Sequence, residues 1–266
     1  MQLHSIEDIK QHHRHIYLSP HFDDAVLSCG GTISLQRTVN LQPLVITIFG
    51  GYPAGQQSLT PFALQSHTTW GLGTTAEEAV VRRRDEDAAA CDVAGADYLW
   101  LDNFDAIYRG YDSQDSLFGP VSQADNATDS RLADLLLHIQ RQAPKAVIYA
   151  PLGVGHHVDH QLVCSAADRL VQQKINVKFY EDIPYVTYPG ALEERQRELG
   201  IKMEPELVEI GAQVPQKLEA ISKYRSQVPQ LFRNEETMRR VIDGYAGAIR
   251  TQYAGIKIER YWAWSL

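Results

Sequence analysis

"HIYLSPHFDDAV", residues 15–26, joins two patterns that meet at three ionisable side chains. His15-Ile16-Tyr17-Leu18 is a short apolar run with the β-branched and aromatic content of a buried strand. His21, Asp23 and Asp24 follow almost at once, and then apolar residues recur at helical spacing. Charges at the end of a buried strand lose hydration, so they need a partner, a helix to cap or a chemical role.

Working outward, similar short runs are LVITIF (44–49), YLWL (98–101), AVIYA (146–150) and VKFYE (177–181). Between them, residues 25–39, 77–95, 129–143 and 159–174 carry apolar residues at helical spacing. The alternation predicts repeated βα units, hence an α/β fold with a mostly parallel sheet covered by helices. Ligands bind such sheets at the carboxyl edge of the strands, where loops and helix N-termini converge. His21, Asp23 and Asp24 lie at that edge. Two long connections, 50–75 and 102–128, are expected to wall a cleft there, because loops of this length are commonly lids or binding loops, with surface disorder as the alternative. Beyond VKFYEDIPY the pattern predicts helices near 213–226 and 235–252 and a final strand in IKIERYWAWSL, an appendage to the core. With no repeat or Pro/Ser-rich linker, residues 1–266 are expected to form one domain: a βα core at about 14–185 and an extension at about 186–266.

The 266 residues are 44% hydrophobic, enough for one sizeable core, and carry a formal net charge of -8. That balance gives no general attraction to phosphate backbones or anionic lipid, so neither nucleic acid nor membrane is an expected partner. Cys29, Cys91 and Cys164 are far apart and form no CxxC pair, which argues against a disulfide framework or a thiolate zinc site. No apolar run reaches the roughly 18 residues of a membrane span, and MQLHSIEDIKQHHRH lacks the apolar stretch of a secretory signal. Cytoplasmic residence is expected.

A second group of ionisable residues, His156-His157-Val158-Asp159-His160, follows the strand AVIYA and the loop PLGVG. If both turns occupy one rim of the sheet, they can converge despite their sequence separation. Two histidines and one aspartate match the three protein ligands of a catalytic zinc site. Such an ion lowers the pKa of its water from about 15.7 to about 7, and a neighbouring carboxylate can take the proton. Plainer roles compete at each position. Asp23 or Asp24 can cap the helix that starts near Ala25, His21 can be an ordinary polar residue, and His157 and His160 can lie on a solvated helix face. The pairing of both groups at one predicted edge favours the metal.

PHxDD after the first strand, together with HxDH after a later one, resembles the PIG-L/LmbE-like family of zinc-dependent N-deacetylases. Members remove acyl groups from N-acetylglucosamine-type sugars, and the likeness covers most of the chain through FYEDIPY. It implies a Rossmann-like, three-layer α/β/α fold, in agreement with the βα reading. By position it implies His21, Asp24 and His160 as metal ligands. Asp23 is implied as the general base that activates the water and later protonates the leaving amine, and His157 as the group that stabilises the oxyanion. Arg83, in a run similar to the family's RxxE, is implied as a substrate contact, with an exposed mixed-charge helix face as the plain alternative. Phe22 and Val158 stand where proline is common, and Ala25 where a glutamate often follows. No implied ligand is lost, but the substrates of better-known members do not carry over.

Several features are given smaller roles. His12 and His13 are read as a solvated N-terminal tract, and His156 is left unassigned. Ser28-Cys29-Gly30-Gly31 falls inside the predicted helix and lacks phosphate-loop spacing, so its glycines are read as close packing. Glu181, Asp182 and Tyr185 are expected either to touch substrate or to end the last core strand. The expected function is a metal-dependent hydrolase that removes an N-acyl group, in the first instance N-acetyl, from an amino sugar or glycoconjugate. Zn2+ is the expected ion, with Fe2+ or Mn2+ as substitutes. The rivals are an amidase of a thiol-sugar conjugate and a non-catalytic sugar- or nucleotide-binding protein on a Rossmann-like scaffold.

Overall fold

A computed structural model describes residues 1–53, 59–249 and 255–264. The five expected core strands are β1 (His15–Ser19), β2 (Leu44–Thr47), β3 (Asp97–Trp100), β4 (Val147–Pro151) and β5 (Val177–Tyr180). All five run parallel, in the order β3-β2-β1-β4-β5. Two antiparallel strands, β6 (Met203–Glu209) and β7 (Ile258–Trp264), extend the sheet, with β7 against β5 and β6 at the edge.

The crossovers are helical: α1 (Asp24–Thr38), α2 (Pro61–Thr69), α3 (Ala76–Ala94), α4 (Gln114–Leu117), α5 (Asn126–Gln142) and α6 (Val158–Gln172). The C-terminal part adds α7 (Ala191–Leu199), α8 (Val214–Ile221), α9 (Val228–Phe232) and α10 (Glu235–Ala248). Packing divides the longer helices into α1 with α3 and α8, and α5 with α6. Right-handed crossovers put these groups on opposite faces of the sheet, because β1 to β3 progress one way and β4 to β5 the other. At this reversal the chain leaves β1 and β4 in divergent directions and opens a crevice at their carboxyl ends. Residues 20–24 and 152–158 follow these two strands, and His21, Asp23, Asp24 and His157 among them line the crevice, so the order of the strands brings the two ionisable groups together.

Local chemistry explains the element ends. Thr75 and Glu78 form a reciprocal capping box at the start of α3, and Gly95 closes that helix at a φ of 80° that favours glycine. At α1, Asp23 occupies the N-cap position, yet its carboxylate accepts no helix N–H. The Ala25 N–H donates instead to Ser19 Oγ at 2.9 Å. Capping therefore does not occupy the Asp23 side chain.

The C-terminal third is built into the core, not hung on it as an appendage. Glu259 of β7 is buried and accepts from the backbone N–H groups of Gly31 (2.9 Å) and Thr32 (2.8 Å) and from Lys217 Nζ (2.6 Å). A Cβ on Gly31 would lie 2.6 Å from Ile210 Cδ1, so the glycine there permits close packing, as expected. Strand β6 was not anticipated. It lies at the edge with mostly exposed side chains and contains Pro205, so neither burial nor alternation marks it. The helix expected at 213–226 is shorter, and α9 follows it separately. Within the long connections, α2 and α4 supply regular structure. Residues 54–58 of the first connection, 250–252 of the helix expected at 235–252 and 265–266 of the final strand lie outside the described residues.

The solvated reading of His13 is corrected. His12 is exposed, but His13 is buried, accepts the Lys10 N–H on Nδ1 at 3.0 Å and has Nε2 3.2 Å from Asp97 Oδ2. Asp97 begins β3 at the sheet's amino edge, where the tract before β1 also lies. That pairing depends on strand adjacency, which a local pattern does not display.

Removing the cation of the buried Lys217–Glu259 pair leaves a desolvated carboxylate without its charge partner. Lys217→Ala should therefore lower the unfolding free energy by about 3–5 kcal/mol in a urea titration. Arg239→Ala, which breaks an exposed pair with Glu235 one helical turn away, should cost only about 0.3–0.5 kcal/mol in the same titration.

Candidate active site and metal centre

Asp24 sits at the centre of the crevice. Its Oδ2 accepts the His21 N–H at 2.7 Å and lies 3.3 Å from both His21 Nδ1 and His160 Nε2. His157 adds a third ring: one nitrogen each from His21, His157 and His160 falls within 4.8 Å of the others. All four side chains are buried. The mixed imidazole and carboxylate donors suit a borderline divalent cation such as zinc.

Each imidazole beside Asp24 is fixed from behind by a buried carboxylate. His21 Nε2 is 3.0 Å from Asp159 Oδ2, and His160 Nδ1 is 2.7 Å from Asp182 Oδ1. Asp159 is held by the Ala106 N–H (3.0 Å) and Arg109 (2.7 Å), and Asp182 by the Val154 N–H (2.9 Å). Such backing sets ring orientation and leaves the opposite nitrogen free to coordinate. It also makes the cluster attract positive charge. Burial disfavours a charged His160, yet Asp24 and Asp182 raise its pKa to about 9. Burial acts likewise on His21, where Asp105, Asp159 and Asp24 outweigh it and hold the pKa well above the ordinary value. Asp24 in turn is kept well below the usual carboxylate range, the imidazoles of His160 and His21 overcoming its own desolvation.

His157 behaves differently. It is the N-cap of α6, and its Nδ1 accepts the Asp159 N–H at 3.2 Å. Burial and the neighbouring His21 push its pKa well below the ordinary value. The ring is neutral, so the proton must reside on Nε2, which can donate to an incoming oxygen. This tautomer also disfavours His157 as a metal ligand through Nε2.

Asp23 is buried beside the cluster, and Arg83 Nη2 stands 3.4 Å from its Oδ1. Desolvation and the Asp24 charge raise the pKa of Asp23, against the pull of Arg83 and His21. Arg83 is buried on α3 and so does not belong to an exposed charge run. Its guanidinium lies over Phe22 (5.1 Å) and Trp70 (5.2 Å) and reaches Asp105 Oδ2 at 3.7 Å. Arg83, Asp23, Asp24, His21, Asp105 and His157 all line one cavity of about 520 Å³. Both long connections contribute walls, through Phe62 and Trp70 from the first and Leu117 and Phe118 from the second.

Sequence reasoning brought His21, Asp23, Asp24, Arg83, His157 and His160 into consideration, and the structure gathers all six. It left Asp159 without a role, although the residue lies inside HxDH. Asp182 stands behind His160 and does not line the cavity, whereas Tyr185 does. Glu181 is taken up by Arg260, Trp262 and Tyr245. Asp105 and Arg109 come from an irregular connection that carries no motif, and only the fold reveals them. His156 is turned away toward Glu198 at 2.6 Å. The His12, His13 and Asp97 cluster is a poor metal site, because His13 Nδ1 accepts a backbone N–H and Nε2 must then carry the proton.

Residues 16–171 match the profile of the PIG-L family, described as GlcNAc-PI de-N-acetylase. The chain belongs to the PIG-L family. Within it, the chain is 32% identical over 226 residues to a 2'-N-acetylparomamine deacetylase of Streptomyces fradiae, covering 80% of this chain and 73% of that protein. A 2'-N-acetylparomamine deacetylase of Niallia circulans is 29% identical over 245 residues, 86% of each chain. Among solved structures, the zinc-inhibited form of teicoplanin deacetylase Orf2 superposes with a TM-score of 0.79 at 27% identity, covering 94% of this chain and 98% of that one. The PIG-L membership agrees with the expected α/β fold.

Because His21 and His160 bind protons firmly, a metal ion must displace them to reach the same nitrogens. Zinc affinity should rise with pH below about 9, the value to which the His160 pKa is raised. At pH 7, calorimetric titrations in buffers of different ionisation enthalpy should report about one to two protons released per ion. Zinc uptake without proton release would contradict coordination by these imidazoles.

Proposed function

We propose that the protein is a metal-dependent N-deacetylase that hydrolyses the acyl amide of an N-acetylated amino sugar. The observation that carries this reading is the buried Asp24 carboxylate between His21 and His160, with Asp23 beside it in the same cavity. The names of the PIG-L relatives, deacetylases of acetylparomamine and teicoplanin type, support the substrate class.

His21 Nδ1, Asp24 Oδ2 and His160 Nε2 would hold the ion, and their mixed nitrogen and oxygen donors make zinc our choice, with Fe2+ or Mn2+ as substitutes. A divalent cation supplies Lewis acidity there, polarising the acyl carbonyl and making water acidic enough to attack near neutral pH. Asp23 accepts the proton of the attacking water, a role suited to a carboxylate whose pKa is raised. The same proton then passes to the departing nitrogen, without which an amine leaves poorly. His157 donates its Nε2–H to the oxygen on which negative charge develops, and its neutrality keeps that donor in place. Arg83 holds Asp23 from one side and lines the cavity wall that a substrate meets. The free, buried thiols of Cys29, Cys91 and Cys164 support a reducing, cytoplasmic setting.

The test is acetate release from N-acetylglucosaminides by protein of known metal content. Zinc should be added stoichiometrically, because a zinc-inhibited form exists for the teicoplanin deacetylase. Asp23→Asn should retain the ion and lose at least about a hundredfold in kcat. His160→Ala should lose both ion and turnover. Near-native hydrolysis by Asp23→Asn would remove Asp23 from the role of base. A binding protein without catalysis would keep its sugar affinity after chelation, and a thiol-sugar amidase would release amine only from the conjugate.

A further inference from the structure

Beyond the catalytic cluster the cavity extends between α2, α4, α9 and residues 183–188, and its chemistry changes. The outer wall carries amide side chains, among them Gln65, Gln114 and Gln230, and apolar or aromatic ones such as Trp70, Phe118 and Tyr188. Tyr188 is 65% exposed at the rim, an unusual placement for an aromatic residue with no covering partner among the described residues. Among the described lining residues, the only lysine or arginine is Arg83. Its charge is paired with Asp23 at 3.4 Å and Asp105 at 3.7 Å, and it lies between two aromatic rings, with only its buried Nε–H left without a partner among the described residues.

A phosphate or carboxylate at this outer wall, away from the ion that His21, Asp24 and His160 would hold, would be desolvated with no lysine or arginine but the carboxylate-paired Arg83 to receive it, and anion recognition rests on arginine, lysine or convergent N–H groups. The chain's net charge of -8 adds no general attraction for an anion approaching from solvent. Neutral amides, by contrast, donate to and accept from sugar hydroxyls, and aromatic faces cover the apolar faces of sugar rings or an aromatic aglycone. We infer that the outer cavity selects an acceptor free of anionic groups: a hydroxyl-rich glycoside with an apolar or aromatic face, not a phosphate-linked sugar. This inference rests on the deacetylase reading for the position of the amide, but it concerns binding and can be measured apart from turnover.

The probes are phenyl N-acetyl-β-glucosaminide and N-acetylglucosamine with a phosphate monoester on its anomeric oxygen. Calorimetry on zinc-loaded Asp23→Asn protein should give at least about tenfold tighter binding of the phenyl glycoside. The double variant Gln65→Lys, Gln230→Lys, in the same background, changes two exposed rim positions. It should tighten phosphate-sugar binding about fivefold at low salt, with the gain lost at high salt, and should not tighten the phenyl glycoside, whose hydroxyls lose two amide partners. Equal or tighter binding of the phosphate by the unaltered rim, or failure of the phenyl glycoside to bind, overturns the inference. So does a lysine rim that brings no gain. Selective binding of the phenyl glycoside with no acetate release by the native protein supports the inference and overturns the deacetylase reading.

Discussion

The site depends on one shared carboxylate oxygen. Asp24 Oδ2 faces ring nitrogens from two elements that are more than a hundred residues apart in the chain, and it accepts the His21 N–H in the turn that starts α1. Negative charge at that depth is tolerable only with positive charge beside it, whether protons on the imidazoles or a divalent ion. Signs then alternate outward: His21 against Asp159, Asp159 against Arg109, Arg109 against Asp125. Arg109 also stacks on Phe49, which follows β2. A charge placed at the centre is thus balanced through residues reaching the second long connection.

The C-terminal third is required by the same centre. Tyr224 donates to the carbonyl of Phe22, adjacent to both His21 and Asp23, and also contacts Asp87 at 2.9 Å. Asp87 is buried with Trp100 and Cys91 as further partners, and desolvation raises its pKa to about 7. The backbone of the turn that carries His21, Asp23 and Asp24 is therefore positioned by a residue two hundred places later. Lys217 and Glu259 fasten that later segment to Ser28, Gly31 and Thr32 of α1. Gln227, Gln230 and Leu231, in or beside α9, then reach the cavity wall. Scaffold and cavity wall are one continuous piece here.

The alternation of strand and helix was legible because each half of the pattern has its own period. The residues of the two motifs were legible because each motif is local. His21, Asp23 and Asp24 share one turn, and His157 and His160 bracket the first turn of α6. Asp182 was recognisable only as a carboxylate at a strand end, since its bond to His160 crosses from β5 to α6. Asp105 and Arg109 come from a stretch without periodicity, and β6 is an exposed edge strand whose composition does not signal burial. His13 was misread because its partner, Asp97, lies in a strand two places away in the sheet.

The amino-acid sequence by itself determined the α/β class, the parallel core and the residue types available for catalysis, because these follow from local periodicity and short spacing. Only tertiary structure decided which nitrogen each imidazole offers, which carboxylates stand behind them and what faces an incoming sugar. Those outcomes depend on the order of strands in the sheet and on the return of the chain's last third to its first helix. Hydrogen bonds and charge pairs act over a few ångströms in space, and distance along the chain does not record them.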